Sequence, residues 1–151
     1  MSAVYLAAAL ECAPAMVDLA CLLIDEGHDI VSTWHGRVSK GAVDPRDRAS
    51  RYTVLASNIL DMSAASVVVV DTRAGMPCAT FGEVSWALAT GRRVVWIQPE
   101  GGRRVDGVRC ANIWDAHPLV TVVHDWARAV EALDDIDADV RPTLRHTPVA
   151  R

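Results

Sequence analysis

No run of apolar residues in this chain approaches the roughly 20 that a membrane-spanning helix needs. The opening Met1-Ser-Ala-Val-Tyr5-Leu-Ala-Ala-Ala-Leu10 lacks the charged start of a secretory signal, so a cytoplasmic protein without membrane association is expected. Positive charge is not in excess either. Fifteen basic side chains face 19 acidic ones, for a net charge of -4, and no basic stripe is visible. Nucleic-acid binding therefore has no electrostatic support, and a small ligand is the expected partner. Four cysteines (Cys12, Cys21, Cys78, Cys110) form no Cys-x-x-Cys pair, and His28, His35, His117, His124 and His146 lack zinc-ligand spacing. Free thiols, no structural metal and no cofactor are expected. The Gly101-Gly102 loop lacks the Lys-Ser/Thr ending of a phosphate-binding loop, and no Gly-x-Gly-x-x-Gly follows the first strand, which argues against nucleoside triphosphates and dinucleotides.

What is present is a regular alternation of strand and helix signals. At 151 residues, 51% hydrophobic and 23% charged, the chain can bury one full core. Strand one is expected at Ala3–Ala8. A helix follows with Pro14 in its first turn, an apolar face of Met16, Leu19, Ala20 and Leu23, and Gly27 as its stop. Strand two is expected over Asp29–Trp34, before a polar loop holding Gly36, Lys40 and Gly41. Asp44-Pro45 is expected to open a second helix whose apolar face is Tyr52, Leu55, Ala56, Ile59 and Leu60. The unbroken valine run 67–70 reads as a central parallel strand covered on both faces. Strand four follows at Val94–Ile97, then a Gly-rich loop, then strand five near Val120–Val123 and a helix from Trp126 to about Leu133 with Asp125 as N-cap. Right-handed crossovers make this an α/β, flavodoxin/Rossmann-like, doubly wound parallel five-stranded sheet of order 2-1-3-4-5. Residues 1–134 are read as the domain and 135–151, acid-rich and then studded with Arg and Pro, as a loosely held tail.

Two carboxylates sit where this sheet hands the chain to a helix. Asp71 closes the valine strand. Glu83 follows Thr80, the expected N-cap of a helix ending at Gly91, and so falls in that helix's first turn. With strands one and three adjacent, Tyr5, Asp71 and Glu83 are expected around one crevice. Paired carboxylates there suit glycosidic chemistry, one attacking or supporting the sugar carbon and the other handling the leaving group. Thr80-x-x-Glu83 also reads as a capping box, and Asp71 as a turn residue.

These residues, in this order, resemble the nucleoside 2-deoxyribosyltransferase family, which includes deoxynucleoside-monophosphate and cytidylate N-glycosidases. Tyr5-Leu6-Ala7 is similar to the family's opening Tyr-Leu-Ala-Gly. Gly27-His28, Asn58-Ile-Leu-Asp61 and Asp71 fit, and Ala79-Thr80-Phe-Gly-Glu83-Val-Ser-Trp-Ala87 resembles Gly-Thr-x-x-Glu-x-Gly-Tyr-Ala. The likeness spans roughly residues 3 to 133. It implies Glu83 as nucleophile on C1′, Asp71 as the group that protonates or holds the base, and Tyr5 as the residue that orients Glu83. It also implies a homo-oligomer, a dimer or larger, with a shared active site. A carboxylate in a first helical turn is kept ionised by the helix dipole, whereas a nearby second one is pushed toward its protonated form, which agrees with these roles. Ala8-Ala9, Ala79 and Ser85 stand where the family has other residues, mostly glycines. The first loop, Ala7-Ala-Ala-Leu-Glu11, offers no hydroxyl for a phosphate, although Arg37, Lys40 or Arg103 could meet one from another loop.

Further residues carry two readings each. Ala7 and Thr80 are placed at the substrate by the resemblance. Trp34 either stacks on a base or lids the core, and Asn112 either bonds the sugar or is a turn residue. Trp86 is expected in the core or against a partner subunit. His117 and His124 are expected as surface or capping residues, Asp44 as a helix cap, and Asp61 as a solvated or packing acid. The expected activity is transfer or hydrolysis at a nucleoside N-glycosidic bond. Its rivals are a nucleoside 5′-monophosphate N-glycosidase, a phosphoribohydrolase of the lysine-decarboxylase-like group, whose Pro-Gly-Gly element is missing, and a non-catalytic nucleoside- or nucleotide-binding module.

Overall fold

The computed structural model describes residues 1–44, 46–101, 104–105, 108–109 and 113–140. In chain order the strands are β1 Ala3–Ala8, β2 Asp29–Ile30, β3 Val67–Asp71, β4 Arg93–Ile97, β5 Arg104–Val105, β6 Val108–Arg109 and β7 Val120–Val123. The helices are α1 Ala13–Asp25, α2 Trp34–Ser39, α3 Arg48–Ala64, α4 Cys78–Ala89 and α5 Trp126–Val140. Five strands form one parallel sheet in the order β2-β1-β3-β4-β7, which is the expected doubly wound α/β topology with β7 as its fifth strand. The Gly-rich segment after β4 adds a small antiparallel pair, β5 with β6. Among the described residues no helix is long and apolar enough to cross a membrane.

The core follows from the valine run. Every residue of β3 is buried, as is the adjoining part of β1 from Val4 to Ala8, because helices cover both faces of the central strands. α1 buries the face its spacing marks, Met16, Leu19, Ala20 and Leu23, and Gly27 leaves it at a φ of 90°, a conformation a side chain resists. Asp125 caps α5 as expected, its carboxylate accepting from the Arg128 N–H at 2.8 Å.

Several segments depart from expectation. β2 stops at Ile30 because Ser32 Oγ takes over as acceptor for the Leu6 N–H (3.1 Å) and Thr33 turns into the helical region. Trp34 therefore opens α2 instead of ending a strand, and the expected polar loop is largely helix. α3 starts later than Asp44-Pro45: Asp47 is its cap, accepting from the Ser50 N–H at 2.7 Å, while Asp44 accepts from the Arg46 N–H in a local turn. The face of α3 toward the sheet carries Val54, Asn58 and Met62, not the expected stripe: Tyr52, Leu55, Ile59 and Leu60 are 50–72% exposed. Polar bonds set this rotation. Asp61 accepts from Thr33 N and Oγ1 (2.9 and 2.8 Å), and Arg37 donates to Ser57 (2.8 Å). Finally, α5 continues to Val140, so residues 135–140 are helix and not tail. Ala129, Ala132, Leu133 and Ile136 keep helical spacing through the acid-rich stretch and are all buried, and Asp137 accepts from Ser2 Oγ at 2.5 Å. Residues 141–151 lie outside the described residues.

Candidate active site

A cleft of about 520 Å³ opens beside the carboxyl end of β1, walled by the turn after that strand, α3, and the first turns of α4. Its walls are mostly hydrocarbon, from Leu10, Val43, Val54, Leu55 and Met62. The polar groups reaching it are Glu83, Asn58, Glu11 and Arg51. An apolar cavity with a few convergent polar groups is the usual form of a small-molecule site.

Glu83 is the best-held of these groups. α4 begins at Cys78 with Pro77 as its cap, so Glu83 is the sixth helical residue and lies in the second turn, not the first. The capping box does not form: Thr80 is inside the helix, 1% exposed, and its hydroxyl has no hydrogen-bond partner among the described residues. Glu83 instead turns toward the sheet. Tyr5 donates its phenol to Glu83 Oε1 at 2.7 Å, and Asn58 Nδ2 approaches the same oxygen at 3.4 Å. Oε2 accepts from none of the described residues. Burial pushes the Glu83 carboxyl up to about 7, against the Tyr5 and Asn58 bonds, which favour its charged form. Burial and the adjacent Glu83 carboxylate push the Tyr5 phenol far above its ordinary range, so it remains a donor.

Asp71 is not part of this cleft. Tyr5 pairs in register with Val68 and Ala8 with Asp71; side chains alternate along a strand, so Tyr5 and Asp71 point to opposite faces of the sheet. Asp71 meets the start of α5 there, accepting from Trp126 Nε1 at 3.1 Å. Arg73 clasps it with Nη2 at 2.6 Å and Nε at 3.1 and 3.2 Å. Burial raises the Asp71 carboxyl, but the hydrogen bonds from Arg73 and Trp126 outweigh it and hold it below the ordinary value. The expected division, with Glu83 ionised by a helix dipole and Asp71 protonated, is thus reversed. Glu83 lies too far along its helix for the dipole to offset burial, and Asp71 has its own cation.

The other expected residues divide. Trp34 lines the cleft at 3% exposure, its indole N–H fixed on the Leu6 carbonyl at 2.7 Å. Ala7 is fully buried and absent from the lining, where its neighbour Ala8 appears instead. Thr80 does not line it, and Asn112 lies outside the described residues, as do Arg103, Cys110 and His146. Ala8 and Ala79 line the cleft where the resemblance has glycines. Arg37 is occupied by Ser57, and Trp86 stacks under Arg92, 4.4 Å from guanidinium carbon to ring centroid. His117 Nδ1 caps the Leu119 N–H at 3.2 Å.

Sequence reasoning missed Asn58, Arg51 and Glu11 as site residues. The signal for the first two was helical spacing: positions 51, 54, 55, 58 and 62 of α3 fall on one face and all line the cleft. Glu11 sits in the single 3-10 turn after β1, and nothing in its local sequence marks it. No protein-family model matches the chain, and no curated protein matches it.

Proposed function

We propose that this chain acts on the N-glycosidic bond of nucleosides or deoxynucleosides, transferring the sugar between bases or to water, with Glu83 as nucleophile. The observation that carries this reading is the half-satisfied Glu83 carboxylate: Oε1 is anchored by Tyr5 and Asn58, no described residue donates to Oε2, and Glu83 lines a cleft of nucleoside size. In the first step Oε2 bonds to C1′, the C1′–N bond breaks, and its electron pair leaves with the base, which takes up a proton. In the second step water or another base attacks C1′ and returns the carboxylate. Glu11 is the other carboxyl lining the cleft and takes the proton-transfer role that the resemblance gave to Asp71. Arg51 at the same wall keeps a nucleoside 5′-monophosphate as the second reading. A cytoplasmic location and a homo-oligomeric state belong to the same proposal.

Incubation with deoxynucleosides, ribonucleosides and their monophosphates, with and without a free second base, tests it by chromatography of released or exchanged base. Turnover by the wild type that is absent from Glu83→Ala is the expected result. No turnover across the panel, with binding retained, would leave a binding module instead. Glu11→Gln should slow base release while leaving substrate binding within about threefold, the pattern of a proton-transfer residue.

Tyr5→Phe supplies a pH test. The phenol favours the charged carboxylate, so removing it raises the Glu83 value above its present level of about 7. The acid limb of the kcat/KM profile, which should rise through about pH 7 in the wild type, is expected to move to higher pH. An unmoved limb would mean that another group controls it.

A further inference from the structure

We infer that Asp61 is a positioning residue for Glu83: by clasping Thr33 it fixes α3 against β1 and so keeps the Asn58 amide within bonding distance of the nucleophile. A closed circuit of bonds carries this. Glu83 Oε1 takes its two bonds from different elements, Tyr5 on β1 at 2.7 Å and Asn58 on α3 at 3.4 Å. Its carboxylate is held by both only while those elements keep their spacing. The corner between β2 and α2 joins them. On one side it grips Leu6, the residue after Tyr5: Ser32 Oγ accepts from the Leu6 N–H at 3.1 Å, and the Trp34 indole donates to the Leu6 carbonyl at 2.7 Å. On the other side Thr33 donates from both N and Oγ1 to Asp61 Oδ2, at 2.9 and 2.8 Å. Asp61 lies one turn beyond Asn58 on the same side of α3.

Two observations set Asp61 apart from an ordinary packing acid. Thr33 stands at the N-cap of α2, where a hydroxyl normally accepts from the first N–H groups of the helix, yet it makes no cap bond. Its hydroxyl goes to Asp61 instead. The Asn58 contact, meanwhile, lies near the outer limit of a hydrogen bond, so a shift of α3 by about half an ångström breaks it, whereas the Tyr5 bond has room to spare. The other tether on this side, Arg37 to Ser57 at 2.8 Å, is one bond from the end of a long side chain, while Asp61 holds the backbone of the corner itself. With Tyr5 alone on Oε1 the carboxylate is free to turn, and it loses a contact that favours its charged form.

The sign of one titration separates this role from the charge of Asp61. Asp61 acts by charge on Tyr5 and His35, and Glu11 and Arg51 share the cleft with Glu83. Removing an anion from these surroundings lowers a carboxyl, whereas losing the Asn58 bond raises it. The Glu83 carboxyl is followed by carbon-13 NMR of the glutamate-labelled full chain, its signal identified by its loss in Glu83→Gln. Asp61→Ala is expected to move the titration upward by about half a unit, and to lower kcat about tenfold with KM within about threefold. Asp61→Asn, which keeps an oxygen for Thr33, should titrate at or below the wild type. In an Asn58→Ala background Asp61→Ala should add no upward shift, because the contact through which it acts is already gone. Thr33→Val deletes the hydroxyl and keeps the shape; it should move the titration upward by less, and it carries the test if Asp61→Ala does not fold. An unmoved or lowered titration in the folded variants, or an equal upward shift in the Asn58→Ala background, overturns the inference. The role in turnover rests on the glycosidic reading, but the titration does not: a chain that turns over no substrate would remove that reading and leave this test standing.

Discussion

Glu83→Gln should remove turnover, by about 10⁴-fold or more, and at the same time make the protein harder to unfold at alkaline pH. The first effect follows from replacing a carboxylate nucleophile by an amide that cannot form the ester. The second follows from the energetics of the site. Glu83 has an ordinary value of 4.5 and one of about 7 in the fold, so its ionised form destabilises the native state by on the order of 3 kcal/mol. The sign is set by proton binding. Below pH 4.5 both native and unfolded chains hold the proton and no penalty exists; between 4.5 and about 7 only the native chain holds it, and stability falls as pH rises. Above that range the full penalty is present. Glutamine is neutral throughout and still offers an oxygen to Tyr5. Urea midpoints for both proteins should therefore converge at pH 4.5 and separate in favour of the variant at pH 8. A variant less stable than wild type at pH 8 would mean that the carboxylate is not desolvated as the fold indicates. A side chain that weakens the fold and is indispensable to turnover is the pattern expected of a functional group.

Arg73→Ala should destabilise the protein by about 2 kcal/mol at neutral pH. Removing one member of a buried pair generally costs more, roughly 3–5 kcal/mol, but the Arg73 side chain is 37% exposed and part of its interaction is screened by water. The loss arises because Asp71, only 8% exposed in its side chain, would keep its charge with Trp126 as its remaining side-chain partner. Here the pH dependence runs opposite to that of Glu83. The Asp71 carboxyl is held below its ordinary 3.8, so its contribution is present above that value and disappears as pH falls through the native one. Wild type and variant should therefore converge in acid. Asp71→Asn added to Arg73→Ala should recover part of the loss, since no unpaired charge is left behind. Asp71→Asn alone should keep turnover within about threefold, because the side chain lies on the far face of the sheet. A loss comparable to that of Glu83→Gln would return Asp71 to the chemistry.

The contrast between these two carboxylates shows how much of the site was legible in the chain. Motif and strand position point to Glu83 and Tyr5, and the fold brings them to 2.7 Å. Asp71 ends the neighbouring strand, which suggests the same crevice. Proximity of strand ends was the wrong criterion, since the pairing register puts Tyr5 and Asp71 on opposite faces. α3 failed for a related reason. Its sequence offers two faces that could be buried, a stripe rich in large apolar residues and a mixed one of Val54, Asn58 and Met62. Hydrophobicity favours the first. The fold buries the second, because Asp61 and Asn58 have partners on the body that they could not reach from the outside.

The sequence by itself determined the order of the five sheet strands and of α1, α3, α4 and α5, the central place of the valine strand, the buried face of α1 and the double winding of the sheet. These are properties of local periodicity and of crossover handedness, both of which a chain carries within short windows. Only the tertiary structure decided which face of α3 turns inward, how far α5 runs, and that Asn58, Arg51 and Glu11 share a cleft with Glu83 while Asp71 does not. Those outcomes depend on register and on hydrogen bonds between residues 25 to 135 positions apart, and such pairings are settled by packing the whole chain at once rather than by any segment of it.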